Sequence, residues 1–274
     1  MNIAFLGGGN MASALIGGLI GKGTDARSLT VVEVNPAARE RLGARYPVHL
    51  AAAPDARMQR SDVVVLAVKP QDAKTAVASI SGSIRGKLLI SIAAGVTLET
   101  LSGWLNGHRK LVRCMPNTPS LIGAGIAALY ALPGVSAEEK SAAESILAAV
   151  GEVVWVGEER LLDPVTAVSA SGPAYVFWFI EQLAASAEKL GLPSDVSKKL
   201  ALHTVLGAAK LAASSSEPPA LLRRNVTSKG GTTEAALKVF DEEKIAERFA
   251  RALEAASRRA TELGRELGKT RGKD

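Results

Sequence analysis

Ile3-Ala4-Phe5-Leu6-Gly7-Gly8-Gly9-Asn10-Met11-Ala12 stands at the head of the chain and decides the fold. An apolar run of strand length breaks into glycines, and a helix-compatible segment, 11–20, follows. That order, strand then glycine loop then helix, turns a weak glycine pattern into a dinucleotide-binding one. Gly7 permits a tight turn, and Gly9 allows the backbone to approach a pyrophosphate. Ala12 takes the third small position, where helix must pack on strand. Asn10 and Met11 open the helix, whose N-terminal amides and dipole favour a phosphate.

Outward from this unit, strand candidates recur at 29–34, 62–68, 88–92 and 110–115. The run 62–68, Asp-Val-Val-Val-Leu-Ala-Val, is continuously apolar after its first residue, as expected of a strand buried on both faces. Helix-like segments lie between the strands, as at 37–42. The alternation predicts a parallel sheet with helices on both faces. Two further runs, 126–132 and 153–156, flank the helix-like 137–149 and are placed to extend it. No convincing strand follows in 165–267. That stretch is rich in Ala, Leu, Glu and Lys, and is broken at Gly191-Leu192-Pro193, Glu217-Pro218-Pro219 and Gly230-Gly231. Pro173 suits a first helical turn. The apolar stretch 174–180 behind it calls for burial, in an internal core or at a subunit interface. The expected architecture is therefore a dinucleotide-binding α/β domain, 1–162, followed by an all-helical domain, 163–274.

Composition narrows the classes. With 47% apolar residues the 274-residue chain has enough to bury a sizeable core. The formal net charge of +6 is dispersed, apart from the basic stretch 265–273, and the aromatics make up only 4%. Basic residues are not interleaved with aromatics, which argues against a nucleic-acid partner. No run of 18 apolar residues offers a membrane span, and the chain enters a strand without a targeting segment. The single cysteine, Cys114, sits in an apolar stretch and reads as a packed thiol in a reducing, cytoplasmic setting.

Ligands of an open α/β sheet collect at the carboxyl ends of its strands. Ala67-Val68-Lys69-Pro70 ends the third candidate strand and places a cation there. Ser91-Ile92-Ala93-Ala94-Gly95 ends the fourth with small residues, as close approach of a nicotinamide requires. Met115-Pro116-Asn117-Thr118-Pro119 ends the fifth. At the end of the second strand the chain offers both kinds of ribose contact. Glu33 suits a 2′-hydroxyl, and Asn35 with Arg39 suits a 2′-phosphate. A second glycine loop lies in the helical part, Arg224-Asn225-Val226-Thr227-Ser228-Lys229-Gly230-Gly231-Thr232-Thr233-Glu234-Ala235. Free backbone amides and hydroxyls at a helix start suit a small carboxylate. The three histidines are scattered, and no metal-ligand spacing or paired-carboxylate motif occurs. Hydride delivery to a protonated C=N bond asks little beyond orientation, whereas a ketone usually wants a strong general acid. The hydroxyl-rich loop thus favours an imine substrate.

Six motifs in this order resemble pyrroline-5-carboxylate reductase, the last enzyme of proline biosynthesis. They are Gly-Gly-Gly-Asn-Met-Ala at 7–12, Ala-Val-Lys-Pro at 67–70, Ser-Ile-Ala-Ala-Gly-Val-Thr at 91–97, Arg-Cys-Met-Pro-Asn-Thr-Pro at 113–119, Ser-Gly-Pro-Ala-Tyr at 171–175 and Val-Thr-Ser-Lys-Gly-Gly-Thr-Thr at 226–233. The resemblance implies a Rossmann domain and a helical dimerisation domain, in a homodimer or a ring of dimers. It implies that Ser228, Gly230, Gly231, Thr232 and Thr233 hold the substrate carboxylate, with Ser228 and Thr233 as catalytic residues and Thr233 reaching the ring nitrogen. For NADP(H), with NAD(H) also admitted, it implies Gly7, Gly9, Asn10, Met11, Ala12, Asn35, Val68, Lys69, Ala93, Ala94 and Gly95. Asn225 supports the loop and the nicotinamide end, and residues 115–117 form the floor of the cleft. Lys229 stands where the family usually has proline, and Ala170 where glycine or serine is usual.

The expected reaction is reduction of 1-pyrroline-5-carboxylate to L-proline in a cleft between the domains. Two alternatives stay open at this point. One is a related imine or β-hydroxyacid reductase, in which Lys210 or Lys229 would serve as acid. The other is a dinucleotide-binding protein without turnover.

Overall fold

The computed structural model describes residues 1–269; residues 270–274, including the last of the basic stretch, lie outside the described residues. The chain forms two compact units. One comprises Met1–Ser171 together with the described residues from Ala255 on, and the other comprises Gly172–Glu254. The sequence division at 162/163 differs in both respects, because a helix that begins at Leu162 still packs on the sheet and the last helix returns to it.

The first unit is built on eight strands: β1 (Ile3–Leu6), β2 (Leu29–Val32), β3 (His49–Ala51), β4 (Val63–Leu66), β5 (Leu88–Ser91), β6 (Leu111–Met115), β7 (Gly125–Ala131) and β8 (Gly151–Trp155). Their order is β3-β2-β1-β4-β5-β6-β7-β8. Strands β1 to β6 are mutually parallel, with β1 pairing β2 on one side and β4 on the other. The expectation of a parallel sheet needs one correction. β7 runs antiparallel to β6, and β8 follows β7. Residues 116–124 are too few for the crossover that a parallel neighbour would need.

Helices α1 (Asn10–Gly21), α2 (Pro36–Arg45) and α5 (Ala137–Leu147) supply one face of the sheet, and α3 (Ala73–Ala78) and α4 (Leu98–Trp104) the other. Alternate strand residues serve the two faces. Ile3, Phe5, Val63, Val65 and Ile90 join Leu15, Ile16 and Ile146 on one side. Ala4, Leu6, Val64, Leu66 and Leu89 join Val77, Leu98 and Leu101 on the other. Double-sided burial explains the continuous apolar runs. α5 starts at a capping box in which the Ser136 hydroxyl accepts from the Glu139 amide and Glu139 reaches back to the Ser136 amide. After β8 the chain enters α6 (Leu162–Val165) and a π turn, Thr166–Ala170.

The second unit holds α7 (Gly172–Lys189), α8 (Ser194–Ser214), α9 (Pro219–Asn225) and α10 (Thr232–Glu242), with α11 (Ile245–Lys269) beginning in it and ending on the first unit. The breaks fall at the glycines and prolines singled out above, and at 243–244, where Lys244 has φ 52°. α7 and α8 pack together, and Tyr175 meets Phe249 edge-on at 6.2 Å between ring centroids. Among the described residues, no helix is long and apolar enough to cross a membrane.

Candidate active site

The carboxyl ends of β1, β2, β4, β5 and β6 gather the first set of candidates on one edge of the sheet. Gly7 has φ +96°, and a Cβ there would lie 2.7 Å from the Ala67 carbonyl oxygen, so only glycine fits. A Cβ on Gly8 would strike Leu42 of α2. Gly9 has nothing within 4 Å of that position and is exposed. The loop is thus closed on its inner side and open at Gly9. Gly9 caps α1 without a side-chain hydrogen bond. The first amides of α1, at Asn10, Met11 and Ala12, have no intrahelical acceptor, and the first helical bond is Ser13 N–H to Gly9 O. A pyrophosphate fits such a loop. Ala12 is fully buried, as the third small position requires.

The two options at β2 resolve into different jobs. Glu33 turns inward: Oε2 accepts from Gly8 N–H and Oε1 from Asn35 N–H, each at 2.7 Å. It braces the glycine loop. Sequence spacing alone gave Glu33 no such role. Asn35 caps α2 by accepting from Ala38 N–H. Arg39 folds over the strand tip and donates to the Glu33 and Val34 carbonyls. After β4, Val68 is half-buried and packs on the sheet core, while Lys69 is exposed. Ala93 is buried and Ala94 exposed, and Gly95 takes φ +76° in the turn that closes with Val96 N–H to Ala93 O. A cleft of about 350 Å³ borders this turn, lined by Pro70, Ala94, Gly95, Arg113, Met115 and Leu263.

Asn117 serves the framework. Its Oδ1 accepts from Ile126 N–H at 3.0 Å, and its Nδ2 donates to Ser169 O at 3.2 Å. Pro173 lacks the N–H that would bond that carbonyl within a helix, so Asn117 satisfies the orphan. Cys114 is buried in the sheet core, and burial pushes its thiol well above the usual range, which keeps it a protonated packing residue.

The second set of candidates lies at the start of α10. Gly231 caps the helix without a side-chain bond, and its own N–H donates to Ser228 O. Gly230 adopts φ +72°. Thr232, Thr233 and Glu234 present the first amides, ahead of the first helical bond at Ala235. Ser228, Lys229 and Thr232 are exposed, and Thr233 is half-buried. Glu234, which sequence reading passed over, accepts from Gly230 N–H at 2.7 Å, so one donor of the loop is already taken by a carboxylate. Asn225 Nδ2 donates to Glu217, 3.3 Å away, at the end of α9.

A Rossmann sheet with an open glycine loop, joined to an all-helical unit, defines a dinucleotide-binding protein of the plan that nicotinamide-dependent oxidoreductases use. Comparison with known proteins specifies the class. Residues 159–263 match the family described as pyrroline-5-carboxylate reductase dimerisation, and residues 2–95 the one described as NADP oxidoreductase, coenzyme F420-dependent. The pyrroline-5-carboxylate reductase of Pseudomonas aeruginosa is 42% identical over 267 residues, which is 97% of this chain and 98% of that one. That of Synechocystis is 40% identical over 97% of this chain and 99% of its own length. A solved pyrroline-5-carboxylate reductase from Coxiella burnetii superposes with a TM-score of 0.91 at 41% identity, covering 96% of this chain and 98% of that chain. One from Plasmodium falciparum with NADP bound gives 0.84 at 29% identity, covering 96% and 98%. The chain belongs to the pyrroline-5-carboxylate reductase family.

Proposed function

We propose that this protein reduces 1-pyrroline-5-carboxylate to L-proline with NADPH or NADH as the hydride donor, in proline biosynthesis. The observation that carries the proposal is the pair of open glycine loops at helix starts, one at 7–12 shaped for a pyrophosphate and one at 228–233 shaped for a small carboxylate, in a chain of this family. Gly7, Gly9, Asn10, Met11 and Ala12 would hold the pyrophosphate, Asn35, Val68 and Lys69 the adenosine side, and Ala93, Ala94 and Gly95 the nicotinamide, with Asn225 supporting that end. When bound, the reduced cofactor supplies the hydride that adds to the C=N carbon.

The remaining work falls to this chain's own groups. The amides of the α10 start, with Gly230, Gly231 and the hydroxyls of Ser228 and Thr232, anchor the carboxylate, and the helix dipole adds to their pull. Thr233 Oγ1 donates to, or passes a proton towards, the ring nitrogen. Lys229, exposed beside the loop, adds a positive field for an anionic substrate. The functional division places dinucleotide binding in 1–162 and substrate binding in 163–274, which the match over 159–263 supports. The helical unit pairs two copies into a homodimer, which stands alone or joins a ring of dimers. We place the enzyme in the cytoplasm, which suits a chain whose one cysteine is a buried thiol.

Absorbance at the nicotinamide band, followed with pyrroline-5-carboxylate and each cofactor in turn, tests the activity. Thr233→Ala should lower kcat/KM about a hundredfold, the usual cost of one oriented donor, and Thr233→Ser should restore most of it. An unchanged kcat/KM in Thr233→Ala would remove the hydroxyl from the mechanism.

A further inference from the structure

β6 is buried throughout and apolar except for Arg113, which is only 4% exposed. A guanidinium in that position needs partners. Nη1 lies 3.1 Å from Glu159 Oε1, and Nη2 lies 3.9 Å from Asp163 Oδ1. Nε has no partner and is the one such buried side-chain atom among the described residues. One cation therefore gathers two carboxylates, and each carboxylate holds something else. Glu159 Oε1 accepts at 2.8 Å from Leu98 N–H, the first residue of α4. Asp163 Oδ2 accepts at 2.8 Å from the Thr261 hydroxyl on α11. One turn further along α11, Gly264 sits so close to the turn after β5 that a Cβ would lie 3.3 Å from Gly95 O.

These two arms end on either side of the same short segment. The turn at 93–95 leaves β5 and runs directly into α4. The Glu159 arm fixes its exit by bonding the start of that helix, and the Asp163 arm presses α11 against its last carbonyl.

We propose that Arg113, Glu159, Asp163 and Thr261 form a positioning network that clamps the Ala93–Gly95 turn and so sets the height of the nicotinamide ring, with Gly264 as the contact surface. The inference rests on the assignment of that turn to the nicotinamide. Hydride transfer depends steeply on approach distance, and a misplacement of about 1 Å costs on the order of a hundredfold. A Cβ at Gly264 moves the turn by a few tenths of an ångström, which scales to a several-fold loss.

The test uses the full-length enzyme with NADPH and its 4-deuterated form. Gly264→Ala should lower kcat about five- to tenfold, enlarge the deuterium isotope effect on kcat and weaken NADPH binding severalfold, with KM for pyrroline-5-carboxylate within about twofold of the original. Thr261→Val should do the same to a smaller extent. Arg113→Lys should keep part of the kcat that Arg113→Met loses. Should Arg113→Met fail to fold, the two α11 variants decide. An unchanged kcat and isotope effect in folded Gly264→Ala and Thr261→Val overturns the network, since a merely structural role would shift melting without touching the isotope effect. If the unmodified enzyme reduces no pyrroline-5-carboxylate, the functional assignment fails separately. NADPH affinity, read by fluorescence titration, then decides: weaker binding by Gly264→Ala supports the clamp, and equal binding overturns it.

Discussion

In the sheet unit almost every residue of β1, β2, β4, β5 and β6 is buried, whereas in Gly172–Glu254 only Ser197 and Ala201 are. The helical unit is not short of apolar side chains. Phe177 is 66% exposed, Trp178 60% and Phe249 54%, with Leu206, Leu211, Val239 and Phe240 also exposed. One unit has closed its own core, and the other carries the material for a core without enclosing it. Apolar surface of that extent marks an interaction face, and it fits the proposed pairing of two copies. The comparison teaches that burial demand and burial supply are met inside one unit for the sheet, whereas in Gly172–Glu254 they would be met by the proposed second copy.

The largest effect should come from breaking the proposed pairing. In a two-fold interface each change counts twice, so Trp178→Glu should raise the dimer dissociation constant on the order of a thousandfold, a hot-spot magnitude. Light scattering on the eluting protein would show a monomer. A dimer that persists breaks the comparison. Next comes Leu89→Ala in the enclosed core, which should cost about 2–5 kcal/mol of unfolding free energy, measured by urea titration. Leu206→Ala should cost the isolated monomer far less, and equal losses would mean that the helical unit is as well enclosed as the sheet.

A smaller effect sharpens the contrast between the two glycine loops. Gly9→Ala meets no atom of the protein and should leave melting unchanged, yet weaken NADPH binding about ten- to a hundredfold by blocking backbone approach. Gly7→Ala should lower melting as well, because its Cβ would strike Ala67. Loss of stability in Gly9→Ala would show that its open side is part of the fold. The smallest effect belongs to the proposed substrate loop. Glu234→Gln removes a carboxylate that competes for the Gly230 amide, and should lower KM for pyrroline-5-carboxylate about two- to fivefold, of the size expected for one exposed charge at a helix start. A raised KM would mean that Glu234 shapes the loop instead.

Much of the architecture could be read from residue patterns, for physical reasons that also explain the misses. β1, β4, β5 and β6 announce themselves because burial on both faces favours apolar residues, with Ser91 and Arg113 the polar ones among them. β3 does not, since its three residues at the sheet edge are only half-buried. The reversal of β7 is invisible because an apolar run reads the same in either direction; the shortness of 116–124 was the available signal. The helical breaks follow Gly and Pro, except at Lys244, whose positive φ no local residue type demanded. At the site, the loop glycines were legible from spacing, but the inward turn of Glu33 depends on where Gly8 comes to rest in space. Arg113 carried a signal that went unused: a charge in the middle of a buried strand needs partners, and those lie 46 and 50 positions further on at Glu159 and Asp163.

The reversed strands β7 and β8 have one more consequence. Because β8 runs against β1 to β6, the chain leaves it at the edge of the sheet opposite the glycine loop, and the segment that follows must climb back. On that climb Glu159 and Asp163 reach Arg113, and then Ser169 reaches Asn117, two positions past the end of β6. The wide π turn at Thr166–Ala170 takes up one residue of slack between these two moorings. A single deletion between Asp163 and Ser169 would turn Ser169 by about 100° away from Asn117, so this connector acts as a phase-setting gauge between its two moorings.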